Sequence, residues 1–333
     1  MLIPRYWATH TAQHSQGDTP FSIQRFGWSQ TSQQEAENMA RARASAAVQE
    51  KLAGGAPIRR EPKVPYNGAE GVPIREEIVA THGPIVITRN SYGARCMNVA
   101  NVCFIDVDQA PVKLWKTLAF RSFFVVMVLL ASLVLMFIPM IGQSYNYDVR
   151  SLPLPLPCIT IAILIVIALF PEFLDHVRRI TVKQVTQQLA EWIRQDRDAG
   201  FRLYRTPAGF RIIVTHKTLA PTGAEVARLF EHLHADPHYV KMCVRQQCFR
   251  ARVSAKPWRA HVYDHMKGGA WPVSEDKMAQ RAHWIRLYER EAALWSACRF
   301  ITTAGATAMP AEVSAAVQLH DELSEALSDK LCA

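Results

Sequence analysis

Two long runs of uncharged residues dominate the pattern of apolar and polar positions along this chain. Residues 122–147 contain no Asp, Glu, Lys or Arg, and residues 151–171 form a second run of the same kind. About 20 apolar residues in a helix cross the hydrocarbon core of a bilayer. The pattern therefore predicts a transmembrane hairpin over 118–172, with spans at about 120–142 and 156–172. Two buried core helices are the alternative interpretation of the same pattern.

Basic residues on either side of these runs predict an orientation. They lie before the first run and after the second: Lys113, Lys116, Arg121, Arg178, Arg179 and Lys183. The loop between the runs holds a single basic residue, Arg150. Lys and Arg concentrate on the cytoplasmic side of membrane proteins. We therefore expect a two-span protein of the inner (cytoplasmic) membrane, with the lipid bilayer as a partner and both termini in the cytoplasm.

Outside the uncharged runs, apolar residues recur at helical spacing in some segments and at strand spacing in others. Helical spacing predicts helices over 30–52 and 275–301, with a short helix at 74–78. Strand spacing predicts two strands and the two arms of a hairpin, at residues 85–88, 102–107, 201–206 and 210–215. The predicted fold class is α/β, in the mixed α+β sense. The domain would be cytoplasmic and discontinuous in sequence, interrupted by the transmembrane hairpin.

These elements divide the chain into five segments. We expect an N-terminal helical and partly disordered arm, a first half of the cytoplasmic domain, the transmembrane hairpin, a second and basic half of the domain, and C-terminal helices. Their boundaries are 1–60, 61–115, 118–172, 175–270 and 271–333.

Charge adds a preference for anionic partners to this picture. The chain has 38 Lys and Arg against 29 Asp and Glu, and residues 178–260 alone hold 16 basic against 6 acidic residues. Three interpretations compete: a solvated face that also attracts anionic lipid, a groove for phosphate or nucleic acid, and a docking face for an acidic protein. The candidate phosphate-binding residues are Arg202, Arg205, Arg211, His216, Arg250, Arg252 and Lys256.

The candidate metal ligands are two acids at the end of a predicted strand. Asp106 and Asp108 stand two positions apart, so on a strand both side chains point to the same face. A pair of carboxylates with phosphate oxygens is a common way to hold Mg²⁺, which is therefore the possible cofactor. A polar strand end before a loop is the alternative interpretation.

Part of this sequence resembles a known superfamily. The strand Phe104–Asp108 and the segment Tyr204–His216, with its Arg-Thr-Pro-Ala-Gly turn, are similar to motifs of the archaeo-eukaryotic primase and primase–polymerase superfamily. The resemblance implies that Asp106 and Asp108 bind metal and that Arg211 or His216 contacts a nucleotide phosphate. It would make the protein an enzyme of metal-dependent nucleotidyl transfer.

A second resemblance extends over most of the chain. The segments 60–71, 87–95 and 247–259 resemble an uncharacterised bacterial family of two-span membrane proteins. This resemblance implies a bacterial origin and no particular activity.

Together these observations predict an integral membrane protein whose basic cytoplasmic domain binds a phosphate-rich ligand, either a nucleotide or a nucleic acid. The alternative is a non-enzymatic membrane scaffold or interaction protein, whose basic face contacts anionic lipid or an acidic partner. The two hypotheses differ in whether the carboxylates of Asp106 and Asp108 lie close to Arg211 and His216 in space.

Overall fold

The structure is a computed structural model that describes residues 1–15, 20–61, 72–108, 181–268 and 271–333. The chain divides into two compact units, which are Met1–Val107 with Lys183–Ala333, and Asp108–Val182. Helices and strands alternate through the first unit, which confirms the predicted mixed α and β character. This unit takes residues from both sides of the second one and is therefore discontinuous in sequence.

An antiparallel hairpin and a long helix form the N-terminal part. Strand β1 (Tyr6–His14) pairs with β2 (Phe21–Ser29), and helix α1 (Gln33–Leu52) packs against them. The helix begins where the Ser32 side chain accepts a hydrogen bond from the backbone of Glu35, which satisfies one of its free N–H groups. The sequence predicted this helix but not the hairpin, because residues 1–60 were expected to form a helical and partly disordered arm.

Helix α1 lies against β2 at very short range. Its buried residues are small, and three of them, Ala36, Ala40 and Ala44, are completely covered. A Cβ atom placed on Gly27 in β2 would lie 2.1 Å from the backbone oxygen of Ala36. Real Cβ contacts are never that short, so only glycine fits at this crossing.

A four-stranded antiparallel sheet joins the two halves of the chain. Its strands are β3 (Glu77–His82), β4 (Ile85–Arg89), β5 (Arg95–Val99) and β9 (Phe249–Arg252), in the order β3-β4-β5-β9. The sequence predicted a short helix at 74–78, but β3 begins at Glu77 instead. Pairing with β4 decides the conformation of this short segment.

A second four-stranded sheet contains β6 (Phe104–Asp108), β7 (Gly200–Thr206), β8 (Gly209–Val214) and β10 (Arg299–Gly305), in the order β10-β7-β8-β6. The hairpin of β7 and β8 lies where the sequence predicted it. Its turn is fixed by the hydroxyl of Thr206, which accepts a hydrogen bond from the Gly209 N–H at 3.0 Å. Every residue of β8 is buried, so the sheet core runs along this strand.

Five more helices complete the described elements: α2 (Val182–Gln195), α3 (Ala224–His232), α4 (Pro237–Gln246), α5 (Glu275–Ala292) and α6 (Ala311–Ser324). The predicted helix over 275–301 ends at Ala292, and β10 follows it. Val185, Leu189 and Trp192 give α2 one buried face.

The membrane prediction requires a correction. Within the described ranges, the search for a helix long and apolar enough to cross a membrane finds none. The longest helix, α1, has charged side chains along its length and a face of small alanines, which suits packing against a strand rather than lipid. This finding contradicts the predicted integral membrane protein, its inner-membrane localisation and its two spans, and we do not retain them. The hairpin predicted over 118–172 lies outside the described residues.

Candidate anion-binding site

The predicted basic residues are engaged by partners inside the fold, beginning with Arg211 on β8. Its Nε donates to Oδ1 of Asp106 on β6 at 2.8 Å, and its Nη2 donates to the other carboxylate oxygen at 3.3 Å. Its Nη1 donates to the backbone oxygen of Arg252 at 2.9 Å. Burial lowers the pKa of Arg211, but Asp106 outweighs this effect and the pKa lies above its ordinary value. This guanidinium is part of the core.

Arg250 on β9 is enclosed in the same way. Its Nη2 donates to Oε2 of Glu76 at 2.5 Å, and its Nη1 donates to Oδ1 of Asn98 at 3.1 Å. Thr88 donates to the same carboxylate oxygen of Glu76 at 2.7 Å. Burial lowers the pKa of Arg250, yet Cys96 and Glu76 raise it well above its ordinary value. Glu76 was not among the predicted site residues, because nothing in the sequence around a single Glu indicates that its side chain is buried.

The other predicted phosphate contacts have separate partners. Arg202 pairs with Asp321 at 2.6 Å and Arg205 lies over the ring of Phe210, 4.3 Å from its centroid. The Nη1 of Arg252 donates to the backbone oxygen of Ser254. Lys256 lies over the ring of Trp258, 5.5 Å from its centroid. Three of the predicted contacts, Arg202, Arg211 and Arg250, therefore form ion pairs that join separate elements of the fold.

The two predicted metal ligands, Asp106 and Asp108, have different surroundings. Asp106 does lie beside Arg211, as the resemblance to the primases requires, but both of its carboxylate oxygens accept from that arginine. Asp108 is exposed at the end of β6, and His216 lies beside Asp196 instead of Arg211. The metal and phosphate roles of these residues stay predictions, and so does nucleotidyl transfer.

A different set of residues forms an open cavity of about 670 Å³. Its walls come from β1, β2, the segment ending at Glu61, the residue Arg75, the loop at 267–268 and α5. Four of the lining side chains are basic, and one is acidic. The basic ones are Arg60, Arg75, Lys267 and Lys277.

Arg75 is the most unusual of these side chains. Its guanidinium lies over the ring of Phe26, 4.0 Å from the centroid, and 5.7 Å from that of Trp7. Its Nε and Nη1 are buried and have no hydrogen-bond partner within the part of the chain that the structure describes. Burial lowers the pKa of Arg75 to about 10, although nearby Glu61 acts in the opposite direction. This arginine is therefore held in place by aromatic rings, while its Nε and Nη1 lack an acceptor among the residues that the structure describes.

The single acid of the cavity is already neutralised. Oε1 of Glu61 accepts from Nη2 of Arg43 on α1 at 2.7 Å, and Oε2 accepts from the backbone N–H of Phe26 at 2.7 Å. The Glu61 side chain is 6% exposed, so it is committed to these bonds. The cavity thus has a surplus of cationic and N–H donor groups, which is the electrostatic signature of a site for an anion.

Sequence reasoning missed this site because its members are dispersed. Arg60 and Arg75 lie in the first half of the chain. Lys267 and Lys277 lie about 200 residues later, beyond the basic stretch 178–260. Comparisons of the chain with family models, with curated proteins and with solved structures returned no significant match in any of the three.

Proposed function

We propose that this protein binds a small polyanion, with phosphate or several carboxylate groups, in the cavity around Arg75. The observation that supports this proposal is the buried guanidinium of Arg75, whose Nε and Nη1 lack an acceptor in the described ranges. A charged group in that position is costly unless a partner neutralises it. The nearest acid, Glu61, pairs with Arg43 instead. A bound anion would complete the missing interaction.

The size of the cavity favours a small molecule. Pockets for cofactors and metabolites usually enclose about 300–1,000 Å³, and this cavity encloses about 670 Å³. Arg75 is also immobilised by Phe26, so little side-chain freedom would be lost when a ligand binds. Lys267 and Lys277 are exposed at the cavity and supply further positive charge at its edge. Together these features suit a compact ligand with two or more negative charges.

The test is a calorimetric titration of the full chain with two probes, inorganic pyrophosphate and citrate. One represents phosphate groups and the other represents carboxylates. We expect saturable binding of at least one probe and none of the uncharged sugar ribose. Arg75→Met should weaken binding at least tenfold, because it removes the guanidinium and keeps an apolar side chain on Phe26.

Arg205→Met provides the matched control. Arg205 also lies over a phenylalanine ring and has a similar degree of burial, but it is outside the cavity. Binding should be unchanged in this variant. The proposal fails if neither probe binds the wild-type protein, or if Arg75→Met and Arg205→Met bind the probes equally well while both retain the wild-type circular dichroism spectrum.

A further inference from the structure

We infer that Asp196, His216 and Glu225 form a binding site for a divalent transition-metal cation, with Zn²⁺ as the ion that suits their chemistry. The site is independent of the Arg75 cavity and of the function proposed for it. The three residues each offer one ligand atom, and these atoms all lie within 4.8 Å of one another. His216 was predicted to contact phosphate, but in the structure the carboxylates of Asp196 and Glu225 lie near its imidazole.

Three separate elements bring these side chains together. Asp196 follows the last residue of α2, and its backbone N–H donates to the oxygen of Trp192 at 2.9 Å. His216 lies two residues after the end of β8. Glu225 is the second residue of α3. The ligand atoms are thus carried by a helix end, a strand end and a helix start, whose backbones are fixed by the fold.

The imidazole of His216 shows why a ligand is expected. The side chain is only 7% exposed. Its Nε2 is buried without a hydrogen-bond partner in the described parts of the chain, and it lies 3.9 Å from Oδ2 of Asp196. Buried polar atoms of this kind normally have a partner. A cation bound between Nε2 and the carboxylate would supply one.

The other ring nitrogen would change its hydrogen-bond partner when a metal binds. Nδ1 of His216 accepts from the Gly200 N–H at 3.0 Å and lies 3.4 Å from the Gly200 oxygen. This contact corresponds to the tautomer with the proton on Nε2. A metal on Nε2 requires the proton on Nδ1, so the imidazole would have to turn from the Gly200 N–H towards the Gly200 oxygen and donate to it. A backbone carbonyl is a common partner for the outer nitrogen of a metal-bound histidine.

Lys217 shows that the site already accommodates positive charge. Its Nζ lies 2.7 Å from Oε1 of Glu225 and 3.9 Å from Oδ2 of Asp196. The lysine side chain is 39% exposed, so it can turn into solvent when a metal takes its place. The ammonium group and a metal ion would compete for the same two carboxylates. Removal of the lysine charge should therefore strengthen metal binding.

The donor set selects the metal. One imidazole nitrogen with two carboxylate oxygens suits Zn²⁺ and neighbouring first-row ions better than Ca²⁺ or Mg²⁺, which prefer oxygen alone. Zinc–ligand distances of about 2.0–2.2 Å place tetrahedral ligands about 3.4 Å apart. The side chains would have to approach one another by up to about 1.4 Å, and a water molecule would be the fourth ligand.

The experiment uses Co²⁺ as a spectroscopic substitute for Zn²⁺. The full chain is treated with a chelator, dialysed and titrated with Co²⁺ while the visible absorption of four-coordinate cobalt is recorded. Zn²⁺ is then added to displace the cobalt. We expect the wild-type protein to bind one Co²⁺ at this site, and His216→Ala or Asp196→Asn to weaken binding at least tenfold. Asp196 is 36% exposed, so its variant should fold even if the histidine variant does not.

Two further variants decide between a metal site and a simple salt-bridge cluster. Lys217→Met should bind Co²⁺ more tightly than the wild type, by several-fold. His232→Ala is the matched control, because its Nε2 lies 2.9 Å from the Gln188 oxygen and is not near the site. The inference is wrong if neither wild type nor Lys217→Met binds Co²⁺. It is also wrong if Asp196→Asn binds as well as His232→Ala does.

Discussion

Arg250 and Arg75 are both partly or fully enclosed arginines of the same unit, yet their surroundings differ in one respect. Arg250 has an acid partner, Glu76, and an amide partner, Asn98. Arg75 has two aromatic rings beside it and no acceptor for Nε or Nη1 in the described residues. Burial lowers the pKa of both arginines, but Cys96 and Glu76 raise that of Arg250 well above its ordinary value, whereas that of Arg75 is lowered to about 10. Two enclosed guanidinium groups of the same unit thus have different energetic roles.

The comparison shows how to separate structural arginines from those that can take a ligand. A buried ion pair gains little over an apolar pair of the same shape, but the loss of one partner leaves a charge in the interior. Arg250 is needed by Glu76, and its removal would harm the fold. Arg75 is needed by no acid that the structure describes, because Glu61 pairs with Arg43. Stability measurements can therefore test this comparison without any knowledge of the ligand.

The largest effect is expected for Arg250→Met. This change leaves the carboxylate of Glu76 buried without its cation, so the free energy of unfolding should fall by about 3–5 kcal/mol. Urea denaturation measures the change. Arg205→Met, which loses only the contact with an aromatic ring, should cost about 0.5–1 kcal/mol. Equal losses in the two variants would contradict the structural role of Arg250.

An intermediate effect on stability is expected when His320 on α6 is replaced. Its Nε2 lies 3.3 Å from Nη1 of Arg211. Burial lowers the pKa of His320, but Cys298 and Asp321 outweigh it, and the pKa lies above 6.5. A raised pKa in the folded state means that protonation stabilises the protein. This contribution is complete below the unfolded value and is lost as the pH rises through the higher folded value.

The measurement compares the melting temperatures of wild type and His320→Asn between pH 5 and 9. The stability advantage of the wild type should be largest at the acid end and should shrink as the pH rises. Asp321 lies 3.0 Å from Nδ1 and Arg211 lies 3.3 Å from Nε2, so these two groups act on the imidazole in opposite senses. An advantage that grows with pH would show that Arg211 prevails and that His320 is neutral in the fold.

The smallest effect is expected for Arg75→Met. The substitution removes a charge that has no acid partner in the described ranges and keeps an apolar stem against Phe26. The free energy of unfolding, from the same urea titration, should stay within about 0.5 kcal/mol of the wild type or increase. A loss comparable to that of Arg250→Met would reveal an internal role for Arg75. It would also remove the basis of the proposed anion site.

Local patterns were sufficient for part of the fold. The hairpin of β7 and β8 was predictable because its turn residues and apolar arms are contiguous, and α1 was predictable from helical spacing over 30–52. The strands β1 and β2 were missed, because their Gln, His and Thr residues resemble those of a polar arm. The packing of Trp7, Ile23 and Phe26 against neighbouring segments gives these strands a buried side.

The candidate site could not be predicted in the same way. Charge counts along the sequence do not show which arginines are paired. Arg211 and Asp106 are 105 positions apart, and Arg250 and Glu76 are 174 apart. The excess of positive charge in 178–260 therefore indicated a ligand surface, although Arg202, Arg211 and Arg250 within it serve internal ion pairs. Arg75, whose Nε and Nη1 have no acceptor among the described residues, lies in a stretch whose charge is unremarkable.

The close crossing at Gly27 has a consequence for the evolution of this cavity. Gln24 and Phe26, on the same strand, line the cavity, whereas none of its lining residues comes from α1. Since Gly27 holds that strand directly against α1, any larger residue there must move the strand, and the cavity wall moves with it. If the cavity binds an anion as proposed, variation at one small residue outside the cavity would limit which anions related proteins accept. Ligand specificity would be inherited partly through a position that no ligand touches.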